Sequence, residues 1–166
     1  MPRVTIQHVT SAVKRMDCMT LEHQAALADR VHDEQPCALL TVLAMSQDGV
    51  SCEELDHALH VLFVTHLACV ESVKPGALPL ITKESIDAGV KNYMDLLRYL
   101  ENEPDRACWD AAFRSHPEPN LLAYAVHYLR DHGINVAVVD HHFGLMLIML
   151  SLVNLYANAV NGNKLL

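Results

Sequence analysis

The chain has 166 residues, 51% of them hydrophobic and 5% aromatic, which gives one domain with a substantial core and excludes a disordered chain. Lys and Arg number 12 against 20 Asp and Glu, for a formal charge of −8, and that balance argues against nucleic acid, whose phosphates reward cationic surfaces. Eleven histidines are the oddity: protonating all of them would reverse the sign of the net charge, so a pH-sensitive surface is one expectation.

Helical periodicity runs along most of the chain. Ile6, Val9, Val13 and Met16 recur at the spacing of a buried helix face. Thr20 suits the cap of a second helix reaching about Asp33, and Pro36 suits the first turn of a third. Gly49 is placed to stop that helix, because glycine takes positive φ without a Cβ clash. Ser51 and Glu54 form an S-x-x-E capping box opening a fourth helix to about Val73. "KPGALPL" is a linker, after which Thr82 or Ser85 opens a helix with Ile86, Val90, Tyr93, Leu97 and Leu100 on one face. Pro104 suits the start of a helix carrying Trp109 and Phe113. Pro119 begins another that Gly133 ends, and Asn135 caps the last. No segment alternates with period two long enough for a strand, so the expected fold is all-α: a single domain, 1–166, of seven to eight helices.

Displaced by 84 residues, the chain partly repeats itself. Arg30, His32 and Glu34 fall on Arg114, His116 and Glu118; Gly49 falls on Gly133 and Asp56-His57 on Asp140-His141. Two similar halves, 1–75 and 82–166, sharing one core are expected. The Arg-x-His-x-Glu echoes fall where helices end, and cations near a helix C-terminus explain them.

"ALLTVLAMSQDGVSCEELDHAL" resembles the two-helix unit of small winged-helix regulators. A recognition helix needs donors for phosphates and base edges, yet no Lys or Arg occurs between Val31 and Val73, and Glu53, Glu54 and Asp56 would face the DNA. DNA binding is rejected. A metal site is a sharper alternative. Glu53, His57 and His60 share a helix face with Asp56 at its edge, and Asp140 and His141 join them if the two long helices meet. Zinc or iron would suit such donors. Glu54-x-x-His57 is similar to the spacing in ferritin-like carboxylate sites, but the corresponding Val138-x-x-His141 lacks the carboxylate. His141 and His142, as neighbours on a helix, point about 100° apart. No nucleophile with an activating neighbour and no glycine-rich phosphate loop is present.

The five cysteines include no C-x-x-C pair and sit in apolar helical patterns, and the N-terminus has no apolar signal region, so a cytoplasmic protein with reduced thiols is expected. From Phe143 to Asn163 there is no charge, but Ser151, Asn154, Asn158 and Asn161 interrupt the apolar run, which argues for a bundle helix over a membrane span. Gly144, Ser151, Asn154 and Asn158 on that stripe are candidate subunit-interface residues. The leading expectation is therefore a non-enzymatic adaptor or regulator that binds a protein partner or itself, as a homodimer, with no cofactor, nucleic acid or membrane.

Overall fold

The computed structural model describes residues 3–74, 76, 78–101, 111, 114–134 and 140–162. Among them are seven α-helices and no strand: α1 (Ile6–Asp17), α2 (Leu21–Glu34), α3 (Pro36–Ala44), α4 (Cys52–Ser72), α5 (Lys83–Glu101), α6 (Pro119–Asp131) and α7 (Asp140–Asn161). The expected helix at Pro104–Phe113 and the Asn135 cap fall outside the described residues.

Local chemistry sets most of these boundaries. Thr5 and Thr20 cap α1 and α2 by accepting from the backbone N–H three residues on, and Pro36 occupies the first turn of α3. Ser51 and Glu54 form the expected capping box. At α5 both residues named from the sequence act together: Thr82 N–H donates to Ser85 Oγ (3.1 Å), and Ser85 N–H to Thr82 Oγ1 (3.2 Å). α3 continues into a 3-10 turn at Met45–Asp48 that ends at Gly49 (φ 89°), and α6 ends at Gly133 (φ 82°). In both, the following N–H reaches back five residues, Val50 to Met45 (3.3 Å) and Ile134 to Leu129 (3.0 Å), with all four side chains buried. Each is a Schellman stop with its apolar contact. Ile6, expected on the buried face of α1, is exposed; Ala12 joins Val9 and Met16 in the stripe instead.

The core centres on the two most apolar helices, α4 and α7, which pack on each other. α1 covers α4 and α5 covers α7, while α3 and α6 each touch both central helices. Every one of the seven contributes to a single buried cluster. Val61 to Cys69 of α4 are buried without a break, and each fully buried Val, Leu or Phe there contributes about 1.5–3 kcal/mol. α7 from His141 to Asn161 is long and apolar enough to cross a membrane, and 67% of its apolar window is buried among the other helices. α5 comes close to α7 because both are small at the crossing: a Cβ on Gly89 would lie 3.6 Å from the Ser151 Cβ.

Two buried polar side chains tie the connections down. Gln35, between α2 and α3, donates Nε2–H to the Pro79 carbonyl (3.0 Å) and accepts from Ile81 N–H (2.8 Å), fixing the end of the linker. Glu118, fully buried before α6, accepts from Arg3 N–H (2.8 Å), Val4 N–H (2.9 Å) and Asn161 Nδ2–H (2.8 Å). One carboxylate thus joins the N-terminal segment to the end of α7. Glu118→Ala leaves those donors without an acceptor and should destabilise the protein by about 3 kcal/mol or more in urea unfolding, with Glu118→Gln costing roughly half as much.

Candidate functional site

The capping box that starts α4 also aims a carboxylate toward α7. Glu54 Oε2 accepts from Ser51 N–H (2.7 Å) while Ser51 Oγ accepts from Glu54 N–H (3.2 Å), so the carboxylate is held over the first turn. The described part of α7 opens beside it with Asp140, His141 and His142. His141 Nε2 lies 3.1 and 3.2 Å from the two Glu54 oxygens, and His142 Nε2 contacts Oε1. The imidazoles meet edge to face, with centroids 4.8 Å apart at 85°. Glu54, His141 and His142 can each offer one donor atom, all within 4.8 Å of one another. His142 is buried, whereas His141 and Glu54 keep about a quarter and a fifth of their side chains exposed (27% and 20%). The Glu54 carboxyl is held down at about 2, first by the Ser51 N–H and then, against the opposing effect of burial, by His142 and His141.

This cluster differs from the sequence-derived set. Of Glu53, Asp56, His57, His60, Asp140 and His141, only His141 belongs to it. Glu53 and Asp56 are exposed, and the Asp140 side chain lies outside the described residues. His57 and His60 face α6, not α7. His60 stacks on Tyr128 (centroids 4.5 Å, 5°), Tyr128 stacks with His132 (4.1 Å), and His57 lies against His132 (4.3 Å) with Nδ1 3.4 Å from the Tyr128 hydroxyl. The 100° between His141 and His142 describes their Cα–Cβ directions; each ring tip bends back toward a carboxylate lying between them.

A second polar group lies inside the bundle, out of reach of the first. His66, 1% exposed, shares a 3.1 Å hydrogen bond between Nδ1 and the hydroxyl of the fully buried Tyr156. Its Nε2 lies 3.0 Å from Glu34, a charge contact off the line of a hydrogen bond. Burial pulls His66 below the usual imidazole range against the opposing pull of Glu34, and burial likewise raises Tyr156. The echoed acids therefore have specific work: Glu34 faces His66, and Glu118 holds the N-terminal segment. Of the cationic members, His32 lies in the last turn of α2, as expected of a helix-end cation.

The proposed interface stripe is used within the chain at two positions. Ser151 is fully buried, donates to the Leu147 carbonyl (2.7 Å) and lies under Gly89 of α5, so a subunit cannot reach it. A Cβ on Gly144 would meet Met45 Cε at 3.6 Å. Asn154 and Asn158 are half-buried. Compared with protein-family models, curated proteins and solved structures, the chain matches none.

Two pH responses follow. Glu54 is charged in the fold below its ordinary range, so its stabilising contribution is complete above about 4.5 and disappears as pH falls toward about 2. In a carboxyl NMR titration, His141→Ala with His142→Ala should move Glu54 only part of the way up, because the Ser51 N–H is the largest cause. A return to the ordinary value would contradict that order. His60, His66 and His116 are all lowered by burial, so stability should fall as pH drops below roughly 6.5, where the unfolded chain binds the protons that the fold rejects.

Proposed function

We propose that the protein binds a divalent transition metal between the start of α4 and α7, with Glu54, His141 and His142 as its ligands. The observation that carries this reading is the convergence of two imidazoles and one carboxylate from separate helices. Bonds of about 2.0–2.2 Å to a tetrahedral ion place ligand atoms roughly 3.3–3.6 Å apart. The separation of His141 Nε2 from Glu54 Oε1, 3.1 Å, lies near that, and the three donor atoms lie within 4.8 Å of one another. Two His and one carboxylate suit zinc or ferrous iron, and three protein ligands leave a further position for water or another donor. Glu54 can bind through one oxygen while the other keeps the Ser51 N–H, which fixes its orientation from outside the ligand set. The ion would link the two helices that form the core, which makes a metal-sensing or metal-stabilised regulator the role we favour.

A second reading, self-association, is supported by Leu40 and Leu43 of α3. They remain 52% and 41% exposed, and Leu40 lines a groove with Ile86, Val90 and Ile148. The 84-residue echo supports two related halves: α1 on α4 corresponds to α5 on α7, and the two Schellman stops correspond residue for residue.

After treatment with chelator, calorimetric titration with zinc should show one site. Saturation at a hundred times Kd should raise the melting temperature by about 5–10 °C. Glu54→Gln, His141→Ala and His142→Ala should each weaken binding at least about a hundredfold, whereas His57→Ala should leave it intact. Absence of zinc, cobalt and ferrous-iron binding would reduce the cluster to a carboxylate holding two imidazoles by hydrogen bonds.

A further inference from the structure

The histidines that do not reach Glu54 make a separate arrangement, at the seam between α4 and the end of α6. His60 of α4 lies flat on Tyr128 of α6, and Tyr128 in turn stacks with His132, the residue that caps α6. His132 Nδ1 lies 2.8 Å from the Tyr128 carbonyl, and His57 of α4 lies against the same ring. His60 Nε2 and the Tyr124 hydroxyl are sealed from solvent and meet no hydrogen-bond partner among the described residues. Immediately beyond the stack, Leu129 and Ile134 are 0% and 1% exposed and close the Schellman stop of α6.

We propose that this ring stack is a proton-operated latch: with His60 neutral it holds the end of α6 on α4, and protonation of His60 releases that end and uncovers Leu129 and Ile134. A neutral imidazole stacks on a phenol ring without penalty. A charged one brings a sealed N–H with no acceptor, so its desolvation is uncompensated. The groups that bear on His60 come from each neighbouring element. Asp17 at the end of α1 favours the charge, but it is exposed, so water screens its attraction. His57 on the same helix and His132 after α6 oppose the charge whenever they carry protons themselves. Tyr124 and Tyr128 of α6 are neutral in this range, burial raising both hydroxyls. Attraction to the Tyr128 face recovers only part of the cost. Moving the ring out to water is the remaining way to hydrate the charge, and the short end of α6 is the element able to yield, because α4 continues from His60 into the unbroken buried run Val61–Cys69 whereas α6 stops at Gly133.

The latch is independent of the metal reading, so it is tested in the presence of chelator. Hydrogen exchange at pH 7.5 and 5.5, corrected for intrinsic chemistry, should show the amides of His132, Gly133 and Ile134 opening at least about tenfold more often at the lower pH, while the amides of α4 stay protected. His60→Phe keeps a ring on Tyr128 but takes no proton, and should abolish that acceleration; His60→Gln serves the same purpose if the larger ring does not fold. The proposal is overturned if the wild-type amides open equally at both pH values. It is also overturned if the folded variant accelerates as the wild type does, or if α4 and α6 lose protection together.

Discussion

Two long helices that are apolar almost all round, α4 and α7, have to be covered, and they cover each other first. Once paired, each leaves a flank that α1 and α5 close, and the gaps above and below the pair are filled by α3 and α6. A polar side chain on the central pair is then stabilised by a partner within the bundle, because an unmet polar group in that environment costs more than a lost surface contact. His66 meets Tyr156 and Glu34, and His141 and His142 meet Glu54. These contacts specify the register of α4 against α7 more sharply than apolar packing can, since leucines and valines tolerate small slips and hydrogen bonds do not.

The fold was legible wherever chemistry is local. Caps at Thr20, Ser51 and Thr82, the proline starts at Pro36 and Pro119, and the stops at Gly49 and Gly133 each need only a few consecutive residues, and the sequence displays them. The site was legible only in part. Glu54 reads from the sequence both as a capping residue and as the carboxylate of an E-x-x-H spacing with His57, but the histidines it meets come from another helix, α7. His57 and His60 looked like ligands because they share a helix face with Glu53, but which helix that face meets is a tertiary fact. It meets the aromatic side of α6. His66 did leave a signal, a lone histidine inside the apolar run "LFVTHLACV". Glu118 left only its echo of Glu34, and nothing local says that a carboxylate before a helix will accept backbone donors more than a hundred residues away.

The echo between "DGVSCEELDH" and "HGINVAVVDH" acquires a physical meaning in its first half and loses one in its second. The glycine and the apolar residue after it are matched stops with the same hydrogen bond. The Asp-His pairs are not matched sites: His141 turns to Glu54, whereas His57 turns to Tyr128 and His132. Glu54 falls on Val138 at the 84-residue displacement, so the carboxylate has no counterpart in the sequence there. The two seams thus carry different histidine arrangements, a carboxylate with two imidazoles at one and a ring stack at the other.

The central claim is that Glu54, His141 and His142 hold a metal ion, and anomalous diffraction from zinc-soaked crystals tests it most directly. The account predicts a single strong peak about 2.0–2.2 Å from Nε2 of both histidines and from one Glu54 oxygen. Strong zinc peaks only at other residues, with none between α4 and α7 at saturating zinc, would contradict it.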